Sequence, residues 1–188
     1  MKTHFSRFLF LLVLLTAFSA LAALKPKLKK TALAGGISLG VPEGFTPLPD
    51  EGIAAKFPAP RKPLAVFTDR AGRVDLSVAQ KETPFGSGDY ALLLKIYKAS
   101  IQNMYTKVTF LTEDIRTINK RDFIVLEFTS ELADTRRNSN LAPIRKYQLV
   151  QYAIEGKTLT VFTFNAPTEE QARWQPVAQA VMQSISMK

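Results

Sequence analysis

Few residue types in this chain could do chemistry. It has no cysteine, and its one histidine, His4, lies in an opening segment that reads as a leader. Without thiol or imidazole beyond that segment, thiolate catalysis, a Ser-His-Asp triad and imidazole proton transfer near neutral pH are excluded. Zinc held by nitrogen or sulfur is excluded with them. Carboxylates and basic side chains remain. Glu127 stands out because it alternates with Phe123 and Val125 on one face of an apolar strand, where partial burial would suit a general acid. Such an acid needs a second carboxylate, and none can be placed opposite it from sequence. The bland alternative is a rim carboxylate paired with a lysine or arginine.

Other candidates are weaker. Glu113-Asp114 offers too few oxygens for calcium, which takes six to eight ligands. Phe85-Gly86-Ser87-Gly88-Asp89 precedes a helix but lacks the lysine of a phosphate loop, so it reads as a capped helix start. The longest polar insertion, Ala133 to Pro143, carries Arg136 and Arg137, and Arg145 with Lys146 follows at once. Two arginines can grip carboxylate or phosphate oxygens in a forked geometry. Arg136, Arg137, Arg145 and Lys146 are therefore the expected partner-binding residues. The alternative is a hairpin tip kept soluble by charge. No metal site and no cofactor are expected.

The elements that must position these residues follow from periodicity. Ile37–Val41 alternates and predicts a strand, and Pro42-Glu43-Gly44 a turn. Ile53–Phe57 reads as a short strand. Leu64–Thr68 and Arg73–Ala79 read as a hairpin around Asp69–Gly72. Tyr90, Leu94, Tyr97, Ile101 and Met104 recur at helical spacing and predict a helix from Asp89 to Tyr105. Val108–Ile118, Phe123–Thr129, Ile144–Ile154 and Thr158–Phe164 predict four more strands. Thr168 with Gln171 resembles a capping box before a last helix, in which Pro176 should bend the axis or mark its start. Leu94, Ile101, Leu126, Phe128, Val161 and Val181 are the expected core. The predicted class is α+β, a central antiparallel sheet covered by helices.

The opening has a leader's three parts: positive Lys2 and Arg7, an apolar run from Phe8 to Phe18, and small residues ending at Ala22. It predicts a cleaved signal peptide over residues 1–22. A flexible basic arm is expected over 23–36 and one domain over 37–188. Loss of Lys2 and Arg7 lowers the formal charge from +9 to +7. An exported basic chain meets anionic envelope components or acidic proteins rather than nucleic acid.

Ile37-Ser38-Leu39-Gly40-Val41-Pro42-Glu43-Gly44-Phe45 resembles the opening of the PsbP-like superfamily, and Trp174 to Ser186 resembles its closing helix. That superfamily includes the extrinsic photosystem protein PsbP, nuclear Ran-binding Mog proteins and bacterial DcrB-like envelope proteins. The resemblance covers Ile37 to Ser186. It implies an α/β/α sandwich and an accessory or binding role without catalysis, and no functional residue carries over. The expected function is a periplasmic or secreted accessory protein, monomeric, acting on an acidic or otherwise anionic envelope partner. An immunity or inhibitor protein against an exported toxin is the first alternative. A carboxylate hydrolase using Glu127 is the second.

Overall fold

Long strands dominate the chain. The computed structural model describes residues 26–57, 62–134 and 141–188. The leader expected over 1–22, together with Arg136 and Arg137, lies outside these. Strands β1 (Leu28–Ala32), β2 (Ile37–Pro42) and β3 (Thr46–Pro47) come first. Helix α1 (Asp50–Lys56) precedes β4 (Ala65–Thr68) and β5 (Asp75–Glu82). Helix α2 (Tyr90–Met104) leads into β6 (Lys107–Ile118), β7 (Arg121–Leu132), β8 (Ile144–Glu155) and β9 (Thr158–Pro167). Helix α3 (Gln171–Gln183) and β10 (Ser186–Met187) close the chain.

Seven strands form one antiparallel sheet in the order β3-β4-β5-β9-β8-β7-β6. Its hairpins are tight. Asn119 and Lys120 join β6 to β7 with φ of 49° and 69°, and Gly156 turns β8 into β9 at φ 57°. Positive φ at such turns matches the twist of the paired strands. Helix α2 covers one face against Ile124, Leu126 and Phe128. Helix α3 covers the other against Phe123, Val125, Leu149, Phe162 and Phe164. The fold is thus the expected α/β/α arrangement. Among the described residues no helix is long and apolar enough to cross a membrane.

A second sheet, β1-β2-β10, lies on the α3 side, where Ile37, Leu39 and Val41 enter the same core as Trp174 and Val181. It sews the two ends of the domain together. Ser186 pairs with Ser38 and Met187 with Ile37. Ser184 Oγ accepts the Gly40 N–H at 2.7 Å, and Asn119 Nδ2 donates to the Ile185 carbonyl at 2.7 Å. Gly40 is required by this approach, since a Cβ there would lie 2.9 Å from Leu28 Cβ.

Several expectations need correction. Within the stretch expected as a basic arm, Leu28–Ala32 forms strand β1, paired with β2 and with Leu28 packed against the core, despite its lysine-rich composition. Ile53–Phe57 is not a strand. Asp50 and Glu51 at the first turn and Lys56 at the last complement a helix dipole, and Ile53 is the one residue that α1 buries. The α2 stripe is shifted: Leu93 is buried, whereas Met104 is 60% exposed. Ile101, Leu126, Phe128 and Val181 are buried as expected, and Leu94 and Val161 pack against the core only partly buried. The capping box at Thr168 does not form. Residues Thr168–Glu170 make a 3-10 turn, and Thr168 Oγ1 is buried without a partner. Helix α3 runs through Pro176.

Candidate functional site

Glu127 lies in the middle of β7, and its neighbours Leu126 and Phe128 turn it toward α3. It is 3% exposed. Its Oε1 accepts hydrogen bonds from Tyr147 Oη at 2.9 Å, Gln175 Nε2 at 2.7 Å and Gln179 Nε2 at 3.2 Å. Its Oε2 accepts from Thr112 Oγ1 at 3.2 Å and Gln179 Nε2 at 3.3 Å. Gln175 and Gln179 are four residues apart on α3, so both reach the sheet from one helical face. All four partners are neutral. Burial, with the charge and hydrogen bond of Glu127, pushes the Tyr147 phenol well above its ordinary value.

A cleft of about 420 Å³ opens beside this cage, between α3 and β6–β8. Its polar lining includes Thr112, Arg116, Glu127, Gln151 and Gln179. Gln151 is 3% exposed, and its Oε1 has no hydrogen-bond partner. Glu127 is the cleft's only carboxylate among the described lining residues. Asp114 shares the face of β6 but is exposed and bound to Arg116 Nε at 3.1 Å, a bond that holds its carboxyl below the usual range. A carboxylate ringed by neutral donors, with no free carboxyl among the described lining residues facing it across a substrate-sized gap, is not arranged for paired acid–base hydrolysis.

The basic residues are placed otherwise. Arg145 Nε donates to Glu131 Oε2 at 2.8 Å, directly across the β7–β8 ladder. Lys146 follows it on an alternating strand and so leaves the opposite face. Arg145 and Lys146 therefore do not form one cluster. Both are exposed, as are three large apolar side chains near them in sequence or across the ladder: Leu132 at 46%, Leu141 at 69% and Ile144 at 58% exposure. Leu132 and Ile144 are register partners. This end of the β7–β8 hairpin was read from sequence for its charge, and its apolar content was missed. Glu113 and Asp114 also separate, with Glu113 pairing Lys98 at 2.7 Å. Among the described residues no three His, Cys, Asp or Glu side chains converge on a metal position. At Phe85–Asp89 the Gly86 N–H donates to Asp89 Oδ2 at 2.8 Å, a local bond at a helix start.

A larger groove, about 760 Å³, lies between β1 and the turn after β2 and is edged by Lys27, Lys29 and Lys30. At its floor the turn motif acquires a physical reason. Gly44 takes φ 88°, and Phe45 then packs against Phe164 and edge-on to Trp174, with ring centroids 6.2 and 5.6 Å apart.

No protein-family model matches the chain, and no curated protein matches its sequence. Solved structures do match in shape. The cyanobacterial PsbP (CyanoP) of Synechocystis sp. PCC 6803 aligns with a TM-score of 0.62 at 13% identity, over 90% of this chain and 96% of that one. The Saccharomyces cerevisiae Ran-binding protein Mog1p aligns at 0.55 and 19% identity, over 86% and 96%. LpqN of Mycobacterium tuberculosis, involved in cell envelope biogenesis, aligns at 0.54 and 14% identity, over 86% and 85%. The chain has the PsbP-like fold, as its opening and closing motifs implied.

Proposed function

We propose that this protein is a non-catalytic accessory protein of the cell envelope, exported through a cleaved leader, that binds an anionic partner at the loop end of the β7–β8 hairpin. The observation that carries this reading is the pair of exposed register partners Leu132 and Ile144 at the loop end of the hairpin, with exposed Lys146 on their face. Large apolar side chains collected at one end of a sheet mark a contact surface. Arg136 and Arg137 belong to the same connection in sequence and add charge for carboxylate or phosphate groups. The fold supports the reading by analogy only: Mog1p is Ran-binding and LpqN is involved in envelope biogenesis.

The test is capture from envelope extract by wild type and by two variants, Arg136→Ala with Arg137→Ala, and Ile144→Asp. A partner held by wild type should be released as salt rises, since exposed charges act over only ~8–10 Å at ordinary ionic strength. Both variants should lose it while thermal stability stays unchanged. Equal capture by all three proteins would refute the hairpin as the site. N-terminal sequencing of the exported form should begin near Ala23, and a chain still starting at Met1 would overturn the leader.

A further inference from the structure

We infer that the cleft between α3 and β6–β8 binds a small organic cation, a primary ammonium or guanidinium group, with Glu127 and Gln151 as its acceptors. This stands independently of the hairpin partner. The first support is charge. Glu127 is buried, and Thr112, Tyr147, Gln175 and Gln179, its hydrogen-bond donors, are all neutral. A carboxylate taken out of water without a countercharge is costly, and a cation at the cleft offsets that cost. Arg116 lines the same cleft, but its guanidinium is bound to Asp114 at 3.1 Å and not to Glu127.

The second support is the orphan amide. A buried side-chain oxygen is ordinarily satisfied, and Gln151 Oε1 is not. Gln151 sits opposite Val125, and Glu127 opposite Leu149. Glu127 and Gln151 are therefore diagonal neighbours on one face, about 7–8 Å apart along the backbone. A forked N–H donor between them would meet both acceptors. The third support is room: about 420 Å³ falls within the ~300–1,000 Å³ of ordinary small-ligand sites.

The experiment titrates ¹⁵N-labelled protein with ethylguanidinium or ethylammonium chloride at fixed ionic strength. Propanamide is the neutral control and acetate the anionic one. The side-chain amide resonances of Gln151, Gln175 and Gln179 should shift saturably with the cations and not with the controls. Gln151→Leu should weaken binding at least tenfold, and Glu127→Gln should abolish it. If Glu127→Gln loses its dispersed spectrum, Gln151→Leu decides alone. Equal shifts with propanamide, preferential binding of acetate, no saturable shift with either cation, or wild-type affinity in Gln151→Leu would each overturn the inference.

Discussion

Phe123 and Leu126 stand on the same strand, both fully buried, yet they belong to different cores. The α2 face around Leu126 is built largely of apolar and aromatic contacts. Tyr97 stacks on Tyr152 at 4.3 Å, and Phe110 packs on Phe128 at 5.6 Å. The α3 face around Phe123 is larger, because the second sheet adds Ile37, Leu39 and Val41. It also contains a carboxylate. The difference lies in the helices. Helix α2 turns Tyr90, Leu93 and Ile101 inward, whereas α3 presents Gln175 and Gln179 beside its apolar stripe. A sheet face can bury a charge where the covering helix brings donors to it.

Truncation tests that division most severely. Phe123→Ala should cost about 3–5 kcal/mol and Leu126→Ala about 2–5 kcal/mol in denaturant unfolding. If the two cores are independent, the double variant should equal the sum within ~0.5 kcal/mol. A larger departure would mean that the faces act as one core. Next comes Glu127→Leu, which keeps the volume but leaves buried donors without an acceptor. It should cost about 1–3 kcal/mol for each group left unsatisfied. A neutral or stabilising result would show that the cage adds nothing to folding.

A smaller effect concerns alkali. The Tyr147 phenol is raised above its ordinary value of 10.0, by burial first and then by Glu127, and burial also raises that of Tyr152. The unfolded chain therefore loses these protons before the folded one does. The stability they contribute is full below pH ~10 and falls as pH rises beyond it. Tyr147→Phe should flatten that decline while lowering stability near neutral pH by about 1 kcal/mol. An unchanged alkaline slope would remove Tyr147 as its cause. The smallest expected change is Arg145→Ala, an exposed pair with Glu131, whose thermal midpoint should stay at the wild-type value.

Much of this was legible in sequence. The long strands announce themselves by alternation, and Glu127 by its place between Val125 and residues of an apolar strand. The donors around it were not legible, because Thr112, Tyr147, Gln175 and Gln179 come from three different elements. A faint signal existed: Gln148 and Gln151 interrupt the apolar run of β8, and buried amides need partners. Strand β1 was hidden because lysines suit an edge and a tether equally well. Helix α1 was misread because a single apolar position, Ile53, supports either period.

The suture between β2 and β10 also sets an order of events. A chain emerging from the ribosome displays Ile37, Leu39 and Val41 early, while α3 and Ser186–Met187, which cover and pair them, are synthesised much later. Contacts this distant in sequence form slowly, since the loop between them must close first. Until Met187 is available one edge of β2 stays unpaired, a template on which another chain could dock. Completion of the domain is thus withheld until synthesis has passed Met187.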